Sequence, residues 1–446
     1  MLISFTFKNW RSFRDETTFT MLATGEKQHA NHLARVPSYD RGRSRFELLP
    51  LAVMYGGNAS GKSNFAKALS FVKKMVVMGG NSDEQMGVEP FRFESSVPGR
   101  PSSFVVRFLI DETVYCYEFS LTSERIEREK LSVLTKTGVD KLLFQRNGDE
   151  FVFKPALKGD RSYLNALSRG VPERKLLLFH ANQQREKNDT LHSVFIKFAA
   201  LYIFYPDMKF SLADELLDES SWYFNKLNEV IPVFDTGIIK IRGKLAPIEG
   251  HKLFDSLNQF LKDAVKTAYY SSPSGIVYCK NIEGQWHYVK MVAYHERADG
   301  GLEEVNFDLE SDGSQRLCDL LPFFTCAFGM NSVVIIDEID RSLHPLLTRK
   351  LLETYLANRT PESRNQLILT THDAMLLDQD LLRRDEIWVA ERDETGASKI
   401  YSFSEFKDVR ADKDIRKSYL QGRMGGVPKL GMTGVFCRPE TGSAHE

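Results

Sequence analysis

Gly56-Gly57-Asn58-Ala59-Ser60-Gly61-Lys62-Ser63 decides how this chain is read. It is a complete G-x-x-x-x-G-K-S loop, and its flanks supply the setting such a loop requires. Leu51-Ala52-Val53-Met54-Tyr55 before it is an unbroken apolar strand, and a helical run opens at Asn64 and continues to about Met78. Glycines let successive backbone N–H groups turn inward, and the helix N-terminus behind them favours anions. Residues Gly56 to Asn64 therefore read as a cradle for the phosphates of a nucleotide. Lys62 would reach the outer phosphates and the Ser63 hydroxyl would ligate Mg²⁺.

About 275 residues beyond Lys62 comes Val333-Val334-Ile335-Ile336-Asp337-Glu338. A continuous apolar run ending in two acids is what a buried parallel strand looks like when it delivers carboxylates to its C-terminal edge. Asp337 is expected to hold Mg²⁺, directly or through water, and Glu338 to polarise the attacking water. The long gap implies that other material is inserted between these two strands. Two further segments bear on the class. Ser311-Asp312-Gly313-Ser314-Gln315 opens a helical run, offering either a second phosphate cradle or an ordinary helix cap. Leu367-Ile368-Leu369-Thr370-Thr371-His372 is a strand ending in a histidine.

The 446 residues carry a formal net charge of −1, so binding to nucleic acid would need a local basic patch. Arg41, Arg43 and Arg45 form one cluster and Lys413, Arg416, Lys417 and Arg423 another; both read first as solvated faces. Cys116, Cys279, Cys318, Cys326 and Cys437 have no C-x-x-C spacing, which argues against a zinc site or disulfide framework and fits a reducing cytoplasm. Met1 to Lys8 alternates as a strand rather than as a signal peptide. No apolar run approaches the roughly 20 residues of a membrane span, so a cytoplasmic location without membrane contact is expected.

The organisation falls into three parts. Residues 1–154 combine the phosphate loop with antiparallel hairpins, at Phe104–Ile110 with Val114–Leu121 and near Lys141–Phe153. Residues 155–270 read as a mainly helical insertion, with three- and four-residue apolar spacing in Ser193–Ala200 and His251–Ala268. Residues 271–446 add a hairpin turning at Glu283-Gly284, then the serine–glycine loop, the two acids and the histidine. The fold class is α/β: a mixed sheet with an antiparallel β-subdomain, interrupted by that insertion.

In the order phosphate loop, Ser-x-Gly-x-Gln, Asp-Glu and strand-His, these segments resemble an ABC-type P-loop ATPase head. The chain is similar to the SMC, RecF and OLD kind, and more narrowly to RloA-like AAA family ATPases of bacterial phage-defence and abortive-infection operons. Further residues carry the likeness: Phe7-Lys8-Asn9-Trp10-Arg11-Ser12-Phe13, Pro90-Phe91-Arg92-Phe93, Asp340-Arg341-Ser342-Leu343-His344-Pro345, and Tyr419-Leu420-Gln421-Gly422-Arg423 with Gly425-Gly426-Val427-Pro428. The resemblance implies ATP and Mg²⁺, and a homodimer or higher homo-oligomer of ATP-bound heads. Ser311, Gly313 and Gln315 of one subunit would meet the γ-phosphate held by Lys62 of the other, His372 would sense that phosphate, and Arg11 would lie near the nucleotide. The 340–345 loop would contact the partner. Gln85 is the one candidate for the glutamine that links metal to insert in such heads.

Departures narrow the function. The insertion is too short and lacks the heptads of an SMC coiled coil. About 74 residues follow His372, and Asp378, Asp380 and Asp385 fall in a helix-and-turn context, so no OLD-type metal nuclease is expected. Arg174 and His180 echo the R-x-x-x-x-x-H of HEPN ribonucleases, though two residues at loose spacing commonly arise by accident. The leading reading is an ATPase subunit of an antiphage system controlling a separate effector, a nuclease from the same operon. The alternative is a RecF/SMC-like ATP-dependent DNA-binding repair clamp.

Overall fold

The computed structural model describes residues 1–39, 46–80, 86–93, 99–209, 214–261, 266–272, 275–325, 331–406 and 414–427. The Arg41, Arg43 and Arg45 cluster, Gln85, Cys326, Lys413, Pro428 and Cys437 lie outside them.

Alternation builds the first layer. In Leu2–Lys8, Phe5 and Phe7 point inward while Ser4, Thr6 and Lys8 face away. Seven such strands form one antiparallel sheet, in the order Glu150–Phe153, Asp140–Asn147, Ile126–Leu134, Thr113–Leu121, Ser102–Ile110, Leu2–Lys8, Thr17–Thr20. Its apolar face lies on the helix Lys62–Lys73, which buries Phe65, Ala66, Leu69 and Val72 at helical spacing. Ring contacts fix the join: Phe19 to Phe65 at 4.9 Å and Trp10 to Phe71 at 4.8 Å between centroids.

The helix's other side meets the core sheet. Its order is Leu201–Phe204, Val333–Ile336, Gln366–Thr370, Leu51–Tyr55, Ile387–Arg392, Ser398–Ser402. The first five run parallel and the last closes an antiparallel hairpin. Every residue of Leu51–Tyr55, Val333–Ile336 and Gln366–Thr370 is buried, which is why these strands read as unbroken apolar runs. The chain is thus α/β with mixed sheets, the class expected of an ABC-type head. The strand carrying Asp337 is not beside the phosphate-loop strand. Gln366–Thr370 lies between them, so the phosphate loop, the acids and the histidine leave adjacent strands at one edge.

The intervening region differs from a mainly helical insertion at 155–270. Helices Arg161–Arg169, Leu177–Gln183 and Asp189–Ala199 share the core under the antiparallel sheet, and Leu201–Phe204 is the edge strand of the core sheet itself. The strand escaped notice because four apolar residues have no distinguishing period. Between 205 and 310 lies a further antiparallel sheet: Ile238–Pro247, Gln285–Glu296, Gly275–Ile282 and Thr267–Ser272, with Leu302–Asn306 alongside Gln285–Glu296. Of the helix read over His251–Ala268, the described residues show Phe254–Phe260. Leu257 and Leu261 are buried there, whereas Phe260 is 44% exposed. Thr267-Ala268-Tyr269-Tyr270 then favours a strand. The hairpin at Glu283-Gly284 forms as expected, both residues having positive φ (51° and 87°).

Candidate active site

The phosphate loop is shaped by backbone that few side chains tolerate. Gly56 has φ 153°, and a Cβ there would stand 2.3 Å from the Ala390 carbonyl oxygen, so only glycine fits between loop and neighbouring strand. Gly61 then starts the helix Lys62–Lys73 with no side-chain cap, leaving the first-turn N–H groups without a cap from that position. Lys62 is only 5% exposed, and its ammonium donates to the carbonyls of Gly56 (2.7 Å) and Gly57 (3.2 Å). Burial lowers its pKa to about 8, against the opposing pull of Asp337, Glu338 and Asp340. The Ser60 hydroxyl is buried without a partner.

Across the loop, Asp337 is 2% exposed and Glu338 follows it with φ 52°, a left-handed conformation that costs a non-glycine residue about 1 kcal/mol. One residue steadies both acids. The Thr370 hydroxyl donates to Asp337 Oδ1 at 2.5 Å and accepts the Glu338 N–H at 2.9 Å. Two positions on, the His372 N–H donates to the Asp340 carboxylate at 3.3 Å. Burial, and then the nearby Lys62 cation, lower the pKa of its imidazole. Asp373 caps the following turn, accepting from the Met375 N–H at 2.8 Å.

Ser60, Lys62, Glu338 and His372 open on one cavity of about 560 Å³, which Gly56, Gly57 and Asp337 do not line. Residues Asn58 to Asn64 line it together with Arg11, Glu338 and His372. Arg11 has φ 49°, donates its N–H to the Glu89 carbonyl and forms an ion pair with the Glu89 carboxylate. Asn64 is anchored from its side chain to the Ser12 hydroxyl (2.9 Å) and from its carbonyl to the Trp10 indole N–H (3.0 Å). Ser311, Gly313 and Gln315 do not line the cavity of their own chain. Ser311 Oγ accepts the Ser314 N–H at 3.1 Å, so the hydroxyl caps its own helix, Asp312–Thr325. Gln315 bonds Lys209 Nζ (2.8 Å) and the Glu310 carbonyl (2.9 Å). Gly313 lies against the Ser342 carbonyl, where a Cβ would come to 2.9 Å. The serine–glycine loop thus packs on the Asp340–Pro345 loop rather than on its own phosphate loop.

The chain belongs on these features with P-loop nucleotide-site proteins, and a family model describes it. The model, "AAA domain, putative AbiEii toxin, Type IV TA system", matches residues 51–378, most of the chain. The chain is a member of this AAA family. Two solved structures are similar to this AAA chain. An SMC head domain from Thermotoga maritima is 12% identical, with 90% of this chain and 98% of that one covered and a TM-score of 0.38. An SMC head bound to the C-terminal winged-helix domain of ScpA is 12% identical, with 90% and 97% covered and a TM-score of 0.39. No curated protein matches the sequence.

Sequence reasoning missed Thr370 and Arg392. Thr370 was legible: a hydroxyl at the C-terminal end of an otherwise apolar parallel strand sits where such sheets bind ligands. Arg392 lies in the cavity wall with its guanidinium 5.0 Å from the Phe93 ring, and nothing in its local sequence marked it. Arg174 and His180 do not share a helix. Arg174 precedes the helix Leu177–Gln183 and donates to the Glu124 carbonyl at 3.0 Å, while His180 pairs with Gln184. Asp378 is bonded to Arg349, and Asp385 to Arg383 and Thr24. The closing segment packs on the sheet edge: Tyr419 donates to the Gly426 carbonyl at 3.2 Å and its ring meets Tyr55 at 6.0 Å. Among the described residues no helix is long and apolar enough to cross a membrane.

Proposed function

We propose that this AAA protein binds ATP with Mg²⁺ and hydrolyses it as one half of an ABC-type homodimer, within a bacterial antiphage system whose separate effector it restrains or releases. The observation that carries the chemistry is the convergence of Lys62, Glu338 and His372 on one cavity, with Asp337 fixed behind Glu338 by Thr370. The donor set suits a hard divalent cation: the Ser63 hydroxyl and the Asp337 carboxylate are oxygen ligands, and no soft donor competes in the cavity lining. When bound there, Mg²⁺ would neutralise charge on the outer phosphates.

The protein's own groups divide the remaining work. Lys62 turns its ammonium from the Gly56 and Gly57 carbonyls toward phosphate oxygens, exchanging neutral acceptors for charged ones. The loop N–H groups hold the inner phosphates at the helix N-terminus. Glu338 accepts the proton of the attacking water, and His372 donates toward the γ-phosphate. Ser311, Gly313 and Gln315, turned away from their own chain's cavity, act on the phosphate held by a second copy.

Lys62→Ala is expected to abolish ATP binding in a calorimetric titration. Glu338→Gln should bind ATP with nearly unchanged affinity yet slow phosphate release at least about a hundredfold; unchanged turnover would remove Glu338 from its role. The defence setting is supported by the family's description, which names a type IV toxin–antitoxin system. Degradation of DNA or tRNA by the purified chain alone, dependent on Arg174 or His180, would contradict the division between ATPase and effector.

A further inference from the structure

The outward face of the antiparallel sheet carries a row of basic and neutral polar side chains across five of its seven strands, ended on the edge strand by Glu150, opposite Asn147. Strand register sets Lys8 opposite Ser103, Ser103 opposite Ser120, Ser120 opposite Arg128, and Arg128 opposite Asn147. Residues opposite one another in neighbouring strands share a face, so these five side chains form one line perpendicular to the strands. At about 4.8 Å per strand, Lys8 and Arg128 stand about 14 Å apart with two hydroxyls between them. The next row, Thr6, Val105, Glu118, Lys130 and Gln145, sets its carboxylate on a middle strand instead.

Four of the five row residues line a groove of about 820 Å³, and Arg92 and Arg100 stand at its rim. Lys8, Arg92, Arg100 and Arg128 are all exposed, and among the described residues none of the four forms an ion pair. The two acids that line the groove are matched elsewhere, Glu118 by Lys130 (3.7 Å) and Glu127 by Arg125 (3.4 Å). Local positive charge therefore gathers on a chain whose formal net charge is −1. Arg92 also lines the cavity of the phosphate loop, so the groove and that cavity share a wall.

We propose that this groove binds the sugar–phosphate backbone of a nucleic acid strand. Two cations with two hydroxyls between them and an amide beyond suit a polymer whose charges repeat, and these are the side chains that contact phosphates rather than bases. An acidic peptide is disfavoured because no apolar side chain stands in the row between Lys8 and Arg128 to anchor it there; Pro90, Phe91 and Pro101 line the groove outside the row. The inference goes beyond the nucleotide-site reading and does not depend on it.

Fluorescence anisotropy with labelled single-stranded and duplex oligonucleotides, on the full chain across a salt series, tests the assignment. Binding should weaken steeply with salt. The double reversal Lys8→Glu with Arg128→Glu should lower affinity at least about tenfold and flatten the slope of log K against log salt by about 1.5, for two lost phosphate contacts. The charge-keeping pair Lys8→Arg with Arg128→Lys should bind like the parent, and ATP turnover without nucleic acid should be the same in all three. The preferred oligonucleotide assigns the source as single strand or duplex. Equal affinity and slope in the reversal variant, displacement of the oligonucleotide by polyglutamate at matched charge, or no binding even at low salt would each overturn the proposal.

Discussion

Thr370→Val keeps the volume of the side chain but removes the donor to Asp337 and the acceptor for the Glu338 N–H. The buried Asp337 carboxylate loses a partner at about 1–3 kcal/mol in stability, and the part-buried Glu338 N–H loses its own at less. Turnover should fall about ten- to a hundredfold while the ATP dissociation constant holds, and Thr370→Ser should recover most of the loss. Lys62 supplies a second test at this scale. With the amine at about 8 before the nucleotide binds, ATP favours its protonated form. Binding then takes up a proton above pH 8, and affinity should drop up to about tenfold per pH unit there, while staying flat below on this group's account. Isothermal titration in two buffers of different ionisation enthalpy measures that uptake. Lys62 and Glu338 were readable from sequence because a phosphate cradle and a strand-end acid pair have few alternative uses. For Thr370 the strand-end position was legible, but its bonds to both acids depend on which strand lies between the two motifs, and that order is set by the whole sheet.

At the scale of elements, the helix Asp312–Thr325 and the Asp340–Pro345 loop touch where Gly313 meets the Ser342 carbonyl. Gly313→Ala would force that contact to 2.9 Å, so one of the two must shift. ATP binding by the isolated chain should be unaffected, since Gly313 is outside the cavity, whereas turnover should fall at least about tenfold through lost registry with the second copy. Stopped-flow nucleotide binding beside steady-state turnover separates the two. Antiparallel hairpins were legible because alternation and turns such as Glu283-Gly284 act locally. The strands Leu201–Phe204 and Ile238–Pro247 were not, because pairing partners far along the chain stabilise them. Helical spacing near Leu257 carried the expected helix into Thr267 and Ala268, which belong to the strand Thr267–Ser272.

The whole molecule is tied together by segments distant in sequence. Gln366 bonds the backbone of Leu2 and Leu49, and the buried Arg383 holds Asp385 while donating to the carbonyls of Glu26 and Gln28. Beside it Glu386 is fully buried, and burial raises its carboxyl to about 8. The folded state keeps a proton that the unfolded chain releases above about 4.5, so this group's contribution is full at low pH and lost as pH climbs toward 8. Glu386→Gln should therefore show a smaller fall in Tm between pH 5 and pH 8 than the parent, read by differential scanning calorimetry. Such long-range ties, and the row of Lys8, Ser103, Ser120 and Arg128 on the antiparallel sheet, exist only once the strands are in register, which is why neither was visible in the chain's order.

The most direct measurement mixes two inactive variants, Lys62→Ala and Ser311→Arg, and follows phosphate release. Each homodimer should be silent, because every composite site lacks one half. Random mixing should restore about a quarter of parental turnover, since half the dimers are mixed and each carries one complete site. If the mixture stays as inactive as its components, or if Ser311→Arg alone retains full turnover, the account of two chains completing each other's site is wrong.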